Sequence, residues 1–227
     1  MNDVGYNIEA VNDGSLFLSV KKCIYLFIKR VFDIVLSLIG IIFLIPISII
    51  IKIAYILDKD NNSIFYTQNR IGKDGKEFKL YKFRSMIVDA DLELKKILKK
   101  NKKLAREYRI NKKLKDDPRI TKIGRVIRRF SIDELPQLIN VLKGDMSFIG
   151  NRPYLPREKE DMGEYFDDIV KTKPGLTGYW QVSGRSDVTF AYRLELERYY
   201  SNCCGLKMDI KIFLKTFNAV FGCKGAK

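Results

Sequence analysis

Between Asp33 and Lys52 the chain reads DIVLSLIGIIFLIPISIIIK, eighteen uncharged residues held between one acid and one base. As a straight α-helix that run would reach ~27 Å, close to the thickness of a bilayer's hydrocarbon core. Pro46 lies two-thirds of the way along, where its missing N–H and its ring favour a kink. Lys22, Lys29 and Arg30 precede the run, and Lys52 and Lys59 follow it. A spanning helix is normally flanked asymmetrically, because Lys and Arg resist export. Positive charge on both sides instead favours a segment that enters one leaflet, breaks near Pro46 and returns. A spanning helix with a mild proline kink fits the same letters, and the pattern leaves both open. The run starts too late and is too long for a cleavable signal, and no small-residue cleavage pattern follows it.

Working outward, three parts emerge: an N-terminal extension over 1–28, the apolar membrane segment over 29–57, and a domain of soluble character over 58–227. Ile64 to Ile71 and Glu77 to Phe83 are β-prone and flank Lys73-Asp74-Gly75-Lys76, whose Asp-Gly predicts a tight hairpin turn. Asp89 to Lys115 reads as one long charged helix stopped by Asp116-Asp117-Pro118. Ile123, Val126, Ile127 and Phe130 recur at helical spacing opposite Arg125, Arg128 and Arg129. That stripe suits a helix in the headgroup region or an ordinary core face equally. Helices are also expected over Leu135–Leu142, Phe190–Tyr200 and Met208–Phe221. The fold class is α+β, mainly α: a re-entrant membrane helix-break-helix, a small β-hairpin and amphipathic interface helices.

The 227 residues carry a net charge of +15, with a pI near 9.6. Such a balance calls for anionic partners: nucleic acid, acidic lipid headgroups or phosphorylated substrates. Sixteen Lys and Arg fall between Lys95 and Arg129 against three acids. The chain has no His, which excludes His general bases, His-ligated metals and Ser-His triads. Cys23, Cys203, Cys204 and Cys223 fit neither a zinc site nor a disulfide framework and read as reduced thiols.

Straight after the basic segment comes Phe130-Ser131-Ile132-Asp133-Glu134-Leu135-Pro136-Gln137. Ser131 and Glu134 match a capping box, which would account for both acids as helix-start residues. The same position also suits chemistry, since a helix N-terminus favours an ionised carboxylate and can hold phosphate. Arg128, one turn before Asp133, could offset charge on a pentacoordinate phosphorus. A second carboxylate there would suit Mg²⁺, which takes one or two carboxylates plus substrate phosphate oxygens.

Taken in series, KRVFDIVLSL, YKFRSM, DDPRITKIGRVIRR, SIDELPQLINVLKGDMSFIG, RPYLP and KPGLTGYWQVSGR resemble the bacterial sugar transferases. These are monotopic phosphoglycosyl transferases acting on polyprenyl phosphate. The words run from about Lys29 to Phe217, and the chain looks closest to undecaprenyl-phosphate galactose or glucose phosphotransferases in a minimal catalytic form. The resemblance implies transfer of a sugar 1-phosphate from a UDP-sugar to undecaprenyl phosphate with release of UMP. This is the first membrane step of exopolysaccharide, capsule, O-antigen or glycoprotein glycan assembly. Galactose or glucose follows from closeness of wording, and N-acetylated sugars stay open.

Carried over residue by residue, the resemblance makes Asp133 the covalent nucleophile, Glu134 the Mg²⁺ ligand and Arg128 the basic residue beside them. Lys82, Arg84, Arg152 and Arg185 match the phosphate and nucleotide pocket. It further implies membrane lipids as partners, the cytoplasmic face of the bacterial inner membrane as location, and room for a homodimer. Re-entry of the membrane helix is itself a family feature. Two departures stand out. Ile45-Pro46 replaces the family's Ser-Pro, and Gly150-Asn151-Arg152-Pro153 replaces Gly-Pro-Arg-Pro, which should loosen one turn. The rival reading of the basic segment is a membrane-tethered nucleic-acid-binding module. No recognised binding motif or interleaved aromatic platform supports it, so no nucleic-acid partner is expected.

Overall fold

The computed structural model describes residues 13–111, 114–183 and 189–221. Its first element, α1, is a helix over Asp13–Leu57. Uncharged from Ile34 to Ile51, it leaves Ile42, Phe43, Ile45 and Ile50 more than 60% exposed. Such a surface suits lipid rather than water. By length and composition it can cross a membrane. The break expected at Pro46 is absent as a break, because the helix runs through the proline without interruption. Two features carry it through. The Ser48 hydroxyl donates to the Leu44 carbonyl at 2.7 Å, one turn back within the helix and beside the proline. Packing then holds both sides: Leu44, Ile51 and Tyr55 share a core with Ile64, Phe83 and Ile127.

The rest of the chain packs along α1. Strands β1 (Phe65–Ile71) and β2 (Glu77–Phe83) form the antiparallel hairpin read from the sequence, in register Phe65↔Phe83 to Ile71↔Glu77. Its turn needs positive φ at Asp74 (57°) and Gly75 (74°), which Asp and Gly tolerate. The single long helix expected over 89–115 is instead two, α2 (Ala90–Lys100) and α3 (Lys102–Asn111). Asn101 leaves helical geometry, and its side-chain oxygen accepts from the Lys103 and Leu104 N–H groups. An Asn that caps the following helix is a stop signal that charge patterning hides.

Helix α4 (Lys122–Arg129) is capped by Thr121, whose Oγ1 accepts from the Gly124 N–H at 2.9 Å. Its apolar stripe divides: Ile127 is buried, while Val126 and Phe130 stay exposed. After α5 (Gln137–Lys143), Gly144 at φ 91° ends the helix. Strands β3 (Ser147–Ile149) and β4 (Gly175–Thr177) then pair in parallel, a contact the sequence reading did not foresee. Between them lie the short helices α6 (Lys159–Met162) and α7 (Phe166–Ile169). Finally come α8 (Tyr179–Ser183), α9 (Phe190–Cys203) and α10 (Leu206–Phe221). On α10, Ile212 is buried while Leu206, Ile210 and Leu214 form an exposed apolar row.

Polar contacts bind α1 to this body far along its length. Lys29 pairs with Asp209 on α10 at 2.5 Å. The Arg30 guanidinium donates to the Val141 and Leu142 carbonyls, both at 2.7 Å, capping the last turn of α5. Buried Asp33 accepts from the Ser147 hydroxyl and the Phe148 N–H. Beyond Pro46, the Tyr55 hydroxyl donates to the Arg84 carbonyl.

Candidate active site

Asp133 and Glu134 occupy a single 3₁₀ turn, Ile132–Glu134, between α4 and α5. Ser131 enters it with φ 55° and makes no capping bond through its side chain, so the capping box does not form. Glu134 turns instead to β2, where the Lys82 ammonium donates to its Oε1 at 2.9 Å. Leu135 and Pro136 separate the acids from the first residue of α5. The helix-end argument for an ionised Asp133 therefore loses its basis.

Asp133 is buried, with 8% of its surface exposed. Burial pushes its carboxyl above the ordinary value; Lys82 and Arg128 pull it down, and the neighbouring Glu134 adds to the rise. For Glu134 the balance reverses. Burial again pushes upward, but the Lys82 charge and hydrogen bond, with Arg152 and Arg70, hold it below the usual range. Adjacent carboxyls whose environments push their affinities for protons apart are a mark of divided roles in a catalytic site.

Arg128 leaves the last turn of α4, and its Nε donates to Ser85 Oγ at 2.7 Å. Gly124, one turn earlier, makes that approach possible, for any Cβ there would meet the Ser85 carbonyl oxygen at 1.9 Å. Beside the turn opens a small cleft lined among others by Arg70, Lys82, Glu134, Gln137, Arg152 and Gln181. Lys82 and Arg152, two of the expected site residues, both line it. Arg84 does not line it. Its guanidinium pairs with Asp60 at 2.9 Å, donates to the Ser63 carbonyl and covers the Tyr55 ring, bracing the end of α1. Arg185 lies outside the described residues.

Three cleft residues escaped the sequence reading as site residues. Arg70 lies on β1 two residues after Gln68 and so on the same strand face, and its guanidinium donates to the Gln68 side-chain oxygen at 2.8 Å. Gln137 lies three residues after Glu134, one helical turn on, which spacing alone could have flagged. Gln181 reaches the cleft only through the β3–β4 pairing, and no local signal announces it. Among the described residues no group of three or more acids or cysteines comes together. Glu134 keeps 45% of its side chain open to solvent, so it could serve a divalent ion that draws its other ligands from phosphate and water.

Over residues 24–223 the chain matches the family described as bacterial sugar transferase. It is 39% identical over 198 residues to the exopolysaccharide production protein ExoY of Sinorhizobium fredii, covering 87% of each chain. It is 43% identical over 200 residues to the undecaprenyl-phosphate galactose phosphotransferase of Salmonella typhimurium, covering 88% of this chain and 42% of that one. Against the galactosyl transferase CpsE of Streptococcus agalactiae the identity is 42% over 209 residues, covering 91% and 45%. The chain thus spans nearly all of ExoY and less than half of the other two. With its paired carboxylates, basic cleft and apolar helix, the protein belongs to the bacterial sugar transferase family and is a phosphoglycosyl transferase.

Proposed function

We propose that the protein moves a sugar 1-phosphate from a UDP-sugar to undecaprenyl phosphate, with Asp133 as covalent nucleophile. The observation that carries this reading is the Asp133–Glu134 turn, with Lys82 bonded to Glu134 and the Arg128 charge felt at Asp133, beside a cation-lined cleft. An Asp133 carboxylate oxygen attacks the sugar-linked phosphorus, and the bond from that phosphorus to the bridging oxygen breaks. UMP leaves with the bond's electrons, and the sugar phosphate stays on Asp133 as a mixed anhydride. An oxygen of the lipid phosphate then attacks the same phosphorus. A diphosphate forms and the Asp133 carboxylate is regenerated.

No proton has to leave the nucleophile, which suits a chain without His. Lys82 and Arg128 offset charge that builds on the phosphoryl oxygens. Glu134, held anionic by Lys82, is the residue that would hold Mg²⁺, which supplies Lewis-acid polarisation of phosphate oxygens when bound. The exposed apolar surface of α1 supports a site at the bilayer surface, where a water-soluble donor and a lipid acceptor can meet. The names of the Salmonella and Streptococcus relatives favour galactose, with glucose next, and ExoY favours a place in exopolysaccharide assembly. We place the cleft on the cytoplasmic face of the inner membrane, where nucleotide sugars are made.

Incubation with a labelled UDP-galactose or UDP-glucose, without lipid, should release UMP and leave label on a peptide containing Asp133. Asp133→Asn should abolish both. Full turnover in the Asn variant, with no labelled protein under rapid quench, would sink the covalent route and favour direct attack by the lipid phosphate.

A further inference from the structure

The loop that carries Arg152 is where the chain departs from the family wording, and the expected loosening is not what the structure holds. Asn151 is buried, 3% exposed. Its side-chain amide donates to the Ile169 carbonyl at 3.1 Å, to Thr172 Oγ1 at 3.3 Å and to Ser201 Oγ at 2.6 Å. One side chain thus ties the loop to α7, to the approach to β4, and to α9. Glu197, also on α9, is 1% exposed and accepts the Arg152 N–H at 2.9 Å through Oε1. From the cleft side, the Arg70 guanidinium donates to the Pro153 carbonyl at 2.9 Å. Three consecutive residues are therefore held by buried or half-buried side chains on both sides of the backbone.

What the clamp presents to the cleft is a guanidinium outside any close ion pair, with the Glu134 charge felt from nearby. Neither Arg70 nor Arg152 forms an ion pair among the described residues, and the Nε of each is buried with no hydrogen-bond partner. Two guanidiniums facing one cleft repel. Burial and then Arg152 push the Arg70 guanidinium down to about 10. Side chains in that state need an anion brought from outside. Burial pushes the Glu197 carboxyl up to about 7 against the Arg152 N–H, the Tyr154 hydroxyl and the Arg152 and Arg193 charges, and a group so buried is expensive unless its bonds do something.

We infer that Glu197 and Asn151 are positioning residues, which fix the Arg152 backbone from behind so that its guanidinium meets the diphosphate of the nucleotide sugar. This rests on the donor reading above. Neither side chain touches the substrate; both act through the placement of Arg152. A misplacement of ~1 Å can cost on the order of 100-fold, so partial release of one loop should cost roughly tenfold. The loss should fall on KM for the donor more than on kcat, because the diphosphate is bound before and during attack.

The test uses the full chain in detergent, with UDP-galactose or UDP-glucose, whichever the wild type turns over. Glu197→Ala and Asn151→Ala should each raise the donor KM about tenfold. Glu197→Gln should stay near wild type, since its amide oxygen can still accept the Arg152 N–H. Ser201→Ala removes one partner of the Asn151 amide and should raise KM by roughly threefold. A purely structural role would lower the thermal midpoint and the active fraction but leave KM alone. An unchanged KM in folded Glu197→Ala overturns the inference while the donor reading stands. Should Glu197→Ala fail to fold, an unchanged KM in Ser201→Ala overturns it instead. A wild type that releases UMP from neither donor removes the donor reading and this inference together.

Discussion

Replacing Gly124 by alanine should move the catalytic turn without touching it. The new methyl would sit 1.9 Å from the Ser85 carbonyl oxygen and 2.7 Å from its carbon. Ordinary contact begins at 3.4 Å, so one backbone must retreat by about 1.5 Å along that line. Ser85 is poorly placed to give way. Its carbonyl accepts the Thr121 N–H at 3.1 Å, and the Arg84 carbonyl just before it is held by Tyr55. The displacement therefore passes largely to α4, and Arg128 leaves that helix one turn later. The retreat that relieves the methyl also stretches the 2.7 Å bond from Arg128 to Ser85, and Arg128 swings away from Asp133. Overpacking of this kind costs about 1–3 kcal/mol of stability. A misplacement near 1 Å costs on the order of 100-fold in rate. Gly124→Ala should therefore fold, melt a few degrees lower, and release UMP roughly two orders of magnitude more slowly. UMP release and thermal unfolding in detergent measure both, with exposed Arg125→Ala as the same-helix control. Wild-type rate and midpoint in Gly124→Ala would refute the idea that this close approach sets the turn.

Three further outcomes are expected. Glu134→Gln removes the charged oxygen that a hard cation prefers, so Mg²⁺-supported turnover should fall at least about a hundredfold, to be read from a metal titration; near-full activity would leave Glu134 a bystander. Burial raises the Asp133 carboxyl, so its contribution to stability is complete below the unfolded value of ~3.9 and is lost as pH rises through the folded value. Asp133→Asn should then melt above wild type at pH 7, with the gap closing toward pH 4; an Asn variant that melts lower at pH 7 contradicts the burial argument. In a cysteine-free background, Val20→Cys and Asn61→Cys should both resist a membrane-impermeant thiol reagent added outside intact cells, and labelling of one end alone establishes a spanning helix.

What the letters disclosed and what they hid follow from the range of the interactions. The β-hairpin was legible because Asp-Gly and two alternating runs are local. The extents of α9 and α10 were close to legible for the same reason. Asn101 was hidden because eight Lys and Arg within α2 and α3 make one charged stretch of what its side chain divides in two. The capping box was plausible by spacing and failed in space, since Lys82, fifty-two positions earlier in the chain, is the better partner for Glu134. Lys82 and Arg152 could be named from motif wording, yet their meeting with Arg70 and Gln181 depends on β3 pairing with β4. Arg84, in the same motif wording as Lys82, turns to Asp60, Ser63 and Tyr55 at the end of α1, a direction no local pattern announces.

The bond from Arg30 to the end of α5 turns α1 into a ruler. Arg30 caps the helix that begins just after the catalytic turn, and Asp33 and Tyr55 pin the same helix at two other heights. The position of the carboxylates along the axis of α1 is therefore written into the register of that helix and not into a flexible stalk. A bilayer that thins, thickens or tilts the helix carries the reaction plane with it, so the height at which a lipid phosphate must present itself is a fixed dimension of the molecule.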